Sequence, residues 1–406
     1  MATKTQKERL KKRILFPSIC LYLQIHQPFR ITGEKVNYFK DSKKNEISNK
    51  KIFEKVCRKS YLPAGKILLK ILKKHKDFHF SISFSGLALE QMEKFSPEAL
   101  MVFKKMHETG RMEILSETYH HSLAFFYSKR EFEKQVSMHR QKIKKLFNAD
   151  PKVFRNTELA YNNDLAVWAE KKGYAGILAE GWEEYIGSCG PNYVYQPKDT
   201  EKIRLLLRNY KFSDDIAFRF SEPSWPGWPL DASKFANCLG KDGGETINIF
   251  LDFETFGEHQ YQETGIFNFL TELPIEILKR NGKFRTASQT ISFFKPKAKI
   301  DVPKILTWAD SERDLSAWNG NKMQKDALRV VYGLEKNISS VKNRNVVKDW
   351  RRLQTSDHFY YMSTKGLDDG GIHDYFSPHK NPQKAYKIFI KTIKNLALRI
   401  KKKNSS

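Results

Sequence analysis

The chain has 406 residues, of which 40% are apolar and 29% charged, a composition that supports a large folded core and excludes disorder. No apolar run approaches the roughly 18 residues of a membrane helix, which excludes a membrane-spanning protein. The cysteines Cys20, Cys57, Cys189 and Cys238 contain no Cys-x-x-Cys pair, so neither a disulfide scaffold nor a structural zinc site is expected.

The net charge is high, because 72 Lys and Arg face 46 Asp and Glu, which leaves +26. Such a balance raises the possibility of a nucleic-acid partner. The basic residues are spread along the whole chain, however, and many lie on predicted helical faces such as 66–76 and 387–403. No RNA-recognition-motif, helix-turn-helix or zinc-finger pattern accompanies them. We interpret the charge as a solvated surface, with polyanion binding as the alternative.

The N-terminus combines a basic segment, residues 1–13, with an apolar run over 14–25, as a signal peptide does. No small-x-small cleavage site follows that run. It leads instead into the polar cluster His26-Gln-Pro-Phe29. We therefore expect a basic extension, then a first buried strand, in a cytoplasmic protein.

Strand and helix patterns alternate along the chain. Short β-branched or aromatic runs predict strands at 14–25, 78–85, 112–119, 152–157, 175–179, 203–209 and 247–253. Helical periodicity predicts intervening helices at 61–75, 88–108, 129–147 and 162–172, and later ones at 322–340, 344–354 and 382–402. This alternation indicates a parallel α/β fold, and seven strands favour a barrel over an open sheet. We predict a barrel over 14–309 and a helical region over 310–406.

Polar residues follow most of the predicted strands, where the catalytic groups of parallel barrels lie. The run 247–251 delivers Asp252 and Glu254 to one strand face, because side chains alternate with a period of two. Glu158 closely follows another strand. Two carboxylates from different strands can cleave a glycosidic bond, one as nucleophile and one as proton donor. Carboxylates paired with cations at the barrel rim are the alternative.

An aspartate and a His-x-x-x-His pair at a strand end can hold a metal, as in a barrel superfamily that deacetylates polysaccharides. His75 and His79 have that spacing, but His79 begins a strand instead of ending one, and no aspartate motif accompanies the pair. We expect neither a metal nor a cofactor.

Five segments in order resemble the five sequence regions of glycoside hydrolase family 57, and most closely its α-amylase branch. They are Ile25–Phe29 (IHQPF), Gly110–Leu123 (GRMEILSETYHHSL), Val153–Glu158 (VFRNTE), Leu251–His259 (LDFETFGEH) and Leu353–Met362 (LQTSDHFYYM). The stretches 208–220, 310–318 and 376–378 resemble that branch too. The resemblance runs from about residue 18 to about residue 390.

The resemblance implies an incomplete (β/α)7 barrel, a helical bundle that closes over the cleft, and retaining cleavage of α-glucans. Glu158 matches the nucleophile and Asp252 the general acid/base. Glu158 must be ionised, and Arg155 or His26 would help to keep its pKa low. Asp252 must hold a proton, so burial and Glu254 should raise its pKa. A retaining pair should lie about 5–5.5 Å apart.

The other motif positions are expected to bind substrate: His26, Gln27, Glu113, His121, Glu254, Asp357 and Trp318. Each also has an ordinary structural interpretation, such as a core histidine, a carboxylate paired with arginine, a helix cap or simple packing. Trp182, Trp225 and Trp228 are further candidates, since sugar faces stack on aromatic rings.

The sequence thus predicts a retaining hydrolase of α-1,4-glucosidic bonds whose partner is an α-glucan. A 4-α-glucanotransferase or branching enzyme is the alternative, since it would share the covalent intermediate. A non-catalytic glucan-binding homologue is the third reading. The oligomeric state is not predicted.

Overall fold

The computed structural model describes residues 16–33, 37–41, 47–365, 377–379 and 381–404, and the predicted extension over 1–13 lies outside them. The described strands are β1 (Ser18–Ile25), β2 (Phe80–Phe84), β3 (Met112–Ile114), β4 (Val153–Arg155), β5 (Gly176–Glu180), β6 (Val194–Pro197), β7 (Arg204–Arg208), β8 (Thr246–Asp252), β9 (Lys283–Phe284) and β10 (Lys299–Ile300).

The strands form two sheets. In the first, β3, β2, β1 and β8 lie side by side in parallel, and β9 joins the start of β1. In the second, the order is β10, β6, β7, β5, β4, and β6 is antiparallel to β7 while the other pairs are parallel. A parallel bridge between Ser116 and Phe154 links β3 to β4. On the other side, the Asn209 amide after β7 donates to the Asn248 carbonyl of β8 at 2.8 Å.

Alternation along the strands separates two apolar clusters. In β1, Ile19, Leu21 and Leu23 pack on the side of the flanking helices, whereas Cys20 and Tyr22 face the other way. The cluster on that second side draws residues from both sheets: Cys20, Tyr22, Leu115, Val153, Leu159, Leu178, Val194, Leu206, Phe250, Ala287 and Ile291. The two sheets therefore share one apolar interior.

Helices surround the strands and dominate the end of the chain. The longer helices up to residue 309 are Asn49–Val56, Leu62–Lys74, Gly86–Phe95, Pro97–His107, Lys129–Phe147, Asn163–Lys171, Tyr210–Ala217, Ala232–Asp242, Ile266–Lys279 and Ala287–Phe293. After residue 310 the described helices are Ser316–Asn319, Lys322–Gly333, Glu335–Ser339, Arg344–Arg352, Ser356–Tyr360 and Pro382–Asn404. None of the described helices is both long enough and apolar enough to span a bilayer.

The structure departs from the sequence prediction in local places. The helix predicted over 88–108 is two helices, since Pro97 disfavours helical backbone at Ser96, which has φ −151° and ψ 68°. The sequence analysis also missed β6, β9 and β10. Each is four residues or fewer, too short to show a period, and β6 ends at a proline.

The helical end of the chain packs directly on the strand-containing part. Trp350, Phe359 and Phe389 belong to the same buried cluster as Phe132 and Phe154. This shared core fixes the segment around residue 356 against the carboxyl ends of the strands, where the site lies.

Candidate active site

A cavity of about 400 Å³ lies at the carboxyl ends of the strands, and most of the predicted site residues meet there. Its lining includes every predicted catalytic or substrate-binding residue except Glu113: His26, Gln27, His121, Glu158, Asp252, Glu254, Trp318 and Asp357. Parallel strands bring residues together that are hundreds of positions apart in the chain.

Beside and beneath this cavity lies a layer of polar side chains, one at or just beyond the end of each of seven strands. The layer consists of Gln24, Ser83, Glu117, Arg155, Glu180, Arg208 and Asp252. From Glu117 onwards, acidic and basic residues alternate between neighbouring strands, and Arg208 pairs with Glu180 at 3.0 Å. Opposite charges as neighbours reduce the cost of burying each one.

Three side chains hold the carboxylate of Glu158. Its Oε1 accepts hydrogen bonds from His121 Nε2 at 3.2 Å and from Ser356 Oγ at 2.9 Å. Its Oε2 accepts one from Trp308 Nε1 at 2.9 Å. A carboxylate offers about four lone-pair sites, so one stays open for chemistry.

The backbone of Glu158 is in the left-handed region, with φ 58° and ψ 27°, and Leu159 follows with φ 49°. This conformation costs a non-glycine residue roughly 1–2 kcal/mol. The surrounding contacts hold it in place, and such strain concentrates at functional sites. The turn directs Glu158 into the cavity directly after β4 ends.

Glu158 is held ionised. Burial by itself would raise the pKa of Glu158, but the hydrogen bond from His121 and the charge of Arg155 outweigh burial and leave that pKa below its ordinary value. Burial lowers the pKa of His121 to about 4, so its ring is neutral at neutral pH. The prediction named Arg155 and His26 as the supporting groups; His121 takes the place of His26.

Asp252, in contrast to Glu158, tends to keep its proton. Burial raises the pKa of Asp252 to about 6, and the negative charge of Glu158 acts in the same direction, while Arg155 and Arg208 oppose it. Burial also raises the pKa of Glu254 to about 8, and the charge of Asp252 adds to that rise. The like charge that acts on Asp252 is therefore Glu158, whereas the sequence analysis had named Glu254.

Asp357 reaches the cavity from the helical end of the chain. Its Oδ2 accepts a hydrogen bond from His26 Nε2 at 2.8 Å, and His26 Nδ1 contacts Ser85 Oγ at 2.7 Å. The Ser356 amide donates to the His121 carbonyl at 2.9 Å, which fixes this segment in place. Burial would raise the pKa of Asp357, but His26 holds it well below its usual range.

Glu113 is not in the cavity. It lies in β3 near the amino-terminal ends of the strands, where its Oε2 accepts hydrogen bonds from Ser288 N at 2.9 Å and Ser81 Oγ at 3.1 Å. Ser288 lies in the first turn of the helix Ala287–Phe293, so this carboxylate stabilises a helix N-terminus. Glu113 therefore stabilises this helix and does not line the cavity, where it was predicted to contact substrate.

Of the tryptophans predicted to bind sugar, one lines the cavity and the others do not. Trp318 lines the cavity but is only 2% exposed, so it offers no free ring face to a sugar. Trp182, Trp225 and Trp228 are not among the lining residues. Gln27 lines the cavity, and its Oε1 accepts a hydrogen bond from Arg30 at 3.3 Å.

The sequence analysis missed several residues of the site, among them Trp308, Ser356 and Phe218. Trp308 and Ser356 bind the Glu158 carboxylate directly, and Phe218 lines the cavity with 59% of its surface exposed. Ser356 is next to the predicted Asp357, and Phe218 lies in the family-like stretch 208–220. Their positions in these segments could have identified both as site residues. Trp308 precedes the family-like stretch 310–318 by two residues, which is a weaker indication.

Among the described residues, no three His, Cys, Asp or Glu side chains form a group that could hold a metal ion. The cavity contains several carboxylates, and two of them, Glu158 and Asp252, have pKa values that shift in opposite directions.

This chain is similar to known proteins in sequence and in fold. The sequence profile of the family described as "Glycosyl hydrolase family 57" matches residues 20–303. A protein of Methanocaldococcus jannaschii named "Putative alpha-amylase" is 40% identical over 398 residues, which cover 94% of this chain and 85% of that protein.

Solved structures share the fold at low identity. The 4-alpha-glucanotransferase of Thermococcus litoralis superposes with a TM-score of 0.63 at 17% identity, over 93% of this chain and 59% of that one. A GH57 branching enzyme of Thermococcus kodakaraensis gives 0.68 at 12% identity, over 95% and 90%. The family match, the identity to the Methanocaldococcus protein and the placement of the family-like segments around one cavity lead to one conclusion: this chain belongs to glycosyl hydrolase family 57.

Proposed function

We propose that this enzyme hydrolyses α-1,4-glucosidic bonds of α-glucans with retention of configuration, as an α-amylase does. The observation that carries the proposal is a pair of carboxylates in one cavity with opposite protonation tendencies. Three donors and Arg155 favour ionised Glu158, and burial favours protonated Asp252. Retaining glycosidases need a nucleophile and a proton donor of this kind.

In the first step, Glu158 attacks the anomeric carbon while Asp252 gives its proton to the glycosidic oxygen, and the bond to the leaving sugar breaks. A covalent glycosyl ester on Glu158 results. In the second step, Asp252, now ionised, takes a proton from water as the water oxygen attacks the anomeric carbon and the bond from that carbon to Glu158 breaks. Glu158 leaves as a carboxylate and Asp252 is protonated again, so the site returns to its starting state.

The surrounding residues have separate roles in this scheme. His121, Ser356 and Trp308 orient the Glu158 carboxylate, and His26, Gln27, Glu254 and Asp357 offer polar groups to the sugar hydroxyls. Phe218 offers an exposed ring at the cavity for stacking on a pyranose face.

The fold proposed for this function is an incomplete (β/α)7-type barrel over 14–309 covered by a helical region over 310–406. Three observations support it: the shared apolar interior, the Ser116–Phe154 bridge, and the hydrogen bond between Asn209 and Asn248. Asp357 and Ser356 make the helical region part of the site.

Product analysis on maltoheptaose tests the activity. A hydrolase yields only shorter chains, a transferase yields longer chains as well, and a glucan-binding protein leaves the substrate unchanged. Proton NMR of the first product tests retention, since the new reducing end should appear as the α-anomer before it equilibrates. An initial β-anomer would contradict double displacement.

A further inference from the structure

Gln24 has a position between the two carboxylates that no part of the mechanism above uses. It lies in β1 and is 1% exposed. Its Cα is paired directly with that of Asp252 in β8, and neighbouring strands lie about 4.8 Å apart. Because paired residues of parallel strands point to the same side of the sheet, the Gln24 and Asp252 side chains lie next to each other above the shared interior.

The amide nitrogen of Gln24 is engaged with the nucleophile's partner. Gln24 Nε2 donates to His121 Nδ1 at 3.2 Å. A neutral imidazole that accepts at Nδ1 must carry its hydrogen on Nε2, and His121 Nε2 is the atom that donates to Glu158 at 3.2 Å. Gln24 thus selects the tautomer of His121 that can support ionised Glu158.

The amide oxygen of Gln24 has no such partner. It is buried and accepts no hydrogen bond from any residue that the structure describes. β1 lies between β2 and β8, and His121 follows β3 on the β2 side. Since the oxygen and nitrogen of a carboxamide point in different directions, Nε2 toward His121 leaves Oε1 toward β8, where Asp252 lies.

We propose that Gln24 is a positioning residue that couples the two carboxylates: its Nε2–H fixes His121 for Glu158, and its Oε1 accepts the hydrogen of protonated Asp252. An amide neither ionises nor gains a proton, so it favours ionised Glu158 and neutral Asp252 at the same time. The inference rests on the proposed catalytic roles of these two carboxylates.

Other charged groups also face the two carboxylates. Asp252 is influenced by Arg155, Arg208, His26 and Glu158, and Glu158 by His121, Arg155 and Asp357, while Glu254 lies two residues beyond Asp252. None of these groups is itself replaced when Gln24 alone is changed, so a comparison with the wild type isolates the effect of the amide.

The first test is the pH profile of kcat/KM on maltoheptaose for Gln24→Met, a change of similar size that removes both hydrogen-bonding atoms. Loss of the donor should raise the pKa of Glu158 and move the acid limb up; loss of the acceptor should lower the pKa of Asp252 and move the alkaline limb down. Each limb should move by roughly 0.5–1 pH unit, so the profile narrows from both sides.

Gln24→Glu gives a second, opposite expectation. A carboxylate beside Asp252 should raise the pKa of Asp252 and move the alkaline limb up, whereas Gln24→Met moves it down. The matched control is Gln324→Met, which removes another amide that is 1% exposed and bonded to backbone carbonyls in the helical region. It should lower stability and leave both limbs in place.

A measurement without substrate separates this inference from the proposed function. Nitrogen-15 shifts of labelled histidine, with His121 assigned through His121→Gln, should show the Nε2–H tautomer in the wild type and a mixture of tautomers in Gln24→Met. The role of Gln24 would be overturned if Gln24→Met left both limbs of the kcat/KM pH profile in place, or if it left the His121 tautomer unchanged. A wild type that leaves maltoheptaose intact would overturn the proposed function, and the tautomer would still decide the question for Gln24.

Discussion

His26 and His121 stack on each other, with ring centroids 3.9 Å apart and ring planes inclined by 20°. Each ring contacts a carboxylate through Nε2, Asp357 for His26 and Glu158 for His121. The stacked pair therefore connects Glu158 to Asp357, in addition to the direct hydrogen bond from Ser356 to Glu158. Protonation of one ring opposes protonation of the other, which helps to keep His121 neutral.

Replacement of the nucleophile should remove hydrolysis and leave binding. We expect Glu158→Gln to slow maltoheptaose cleavage at least about a thousandfold, roughly 4 kcal/mol of barrier, because the amide cannot attack. Added azide should restore part of the turnover in Glu158→Gly. Glu113→Gln is the matched control, since it changes a glutamate outside the cavity and should lower the melting temperature more than the rate. Activity of Glu158→Gln within about tenfold of the wild type, or 1.4 kcal/mol, would contradict the assignment.

Replacement of the acid/base should depend on the leaving group. Asp252→Asn should slow starch cleavage about 10²–10⁴-fold, because a sugar alcohol needs the proton. Formation of the intermediate from an α-glucosyl fluoride should slow far less. The ester on Glu158 should then accumulate and be visible by mass spectrometry of the intact protein. Equal slowing on both substrates without a trapped ester would return Asp252 to a structural role and favour Glu254 as proton donor.

The pH profile of the wild type follows from the two carboxylates. Glu158 must be ionised, and its lowered pKa places the acid limb of kcat/KM below the ordinary glutamate value of about 4.3. Asp252 must be protonated, and its pKa of about 6 places the alkaline limb near that pH. Activity should fall as pH rises above 6. An alkaline limb that persists in Asp252→Asn would assign it to another group.

The hydrogen bond from His26 to Asp357 should make stability sensitive to acid. Because the pKa of Asp357 is depressed in the folded protein, the pair stabilises above the unfolded value of about 3.9 and is lost as pH falls through the lower, folded value. The melting temperatures of the wild type and Asp357→Asn should therefore differ at neutral pH and converge in acid. Asp301→Asn, at an exposed carboxylate paired with Lys198, should change little at any pH.

Phe218 should determine the preference for longer chains. Phe218→Ala should raise KM for maltoheptaose roughly three- to tenfold through lost stacking, with a smaller effect on maltotriose. Phe293→Ala is the matched control: that ring is 64% exposed but is not among the residues that line the cavity. Equal effects of the two substitutions would remove Phe218 from the substrate site.

The strands and the strand ends were predictable because both depend on local pattern. Alternation in Ile247–Leu251 places Asp252 correctly on the inner face. The same alternation also places Glu113 on the inner side, but it lies four residues before Glu117 in the polar layer. At about 3.3 Å per residue, it is about 13 Å deeper, away from the cavity. The sequence therefore predicts which face of the strand Glu113 lies on. Its distance from the cavity depends on the register between strands, which the sequence pattern does not show.

The partners of Glu158 could not be predicted in the same way. Trp308 and Ser356 lie 150 and 198 residues further along the chain. They reach Glu158 because a bridge joins Tyr161 to Leu306 and another joins Ser122 to Thr355. These long-range pairings have no periodic signal in the sequence.

The dependence of the nucleophile on Ser356 and of His26 on Asp357 has a consequence for biosynthesis. The two residues of the His26–Asp357 pair are separated by 331 positions. Synthesis at about 5–20 residues per second spaces their emergence from the ribosome by roughly 17–66 s. Until residues 356 and 357 emerge, Glu158 lacks the Ser356 hydrogen bond and His26 lacks its carboxylate. A nascent chain therefore completes its catalytic centre only after the segments that form all its described strands have been made.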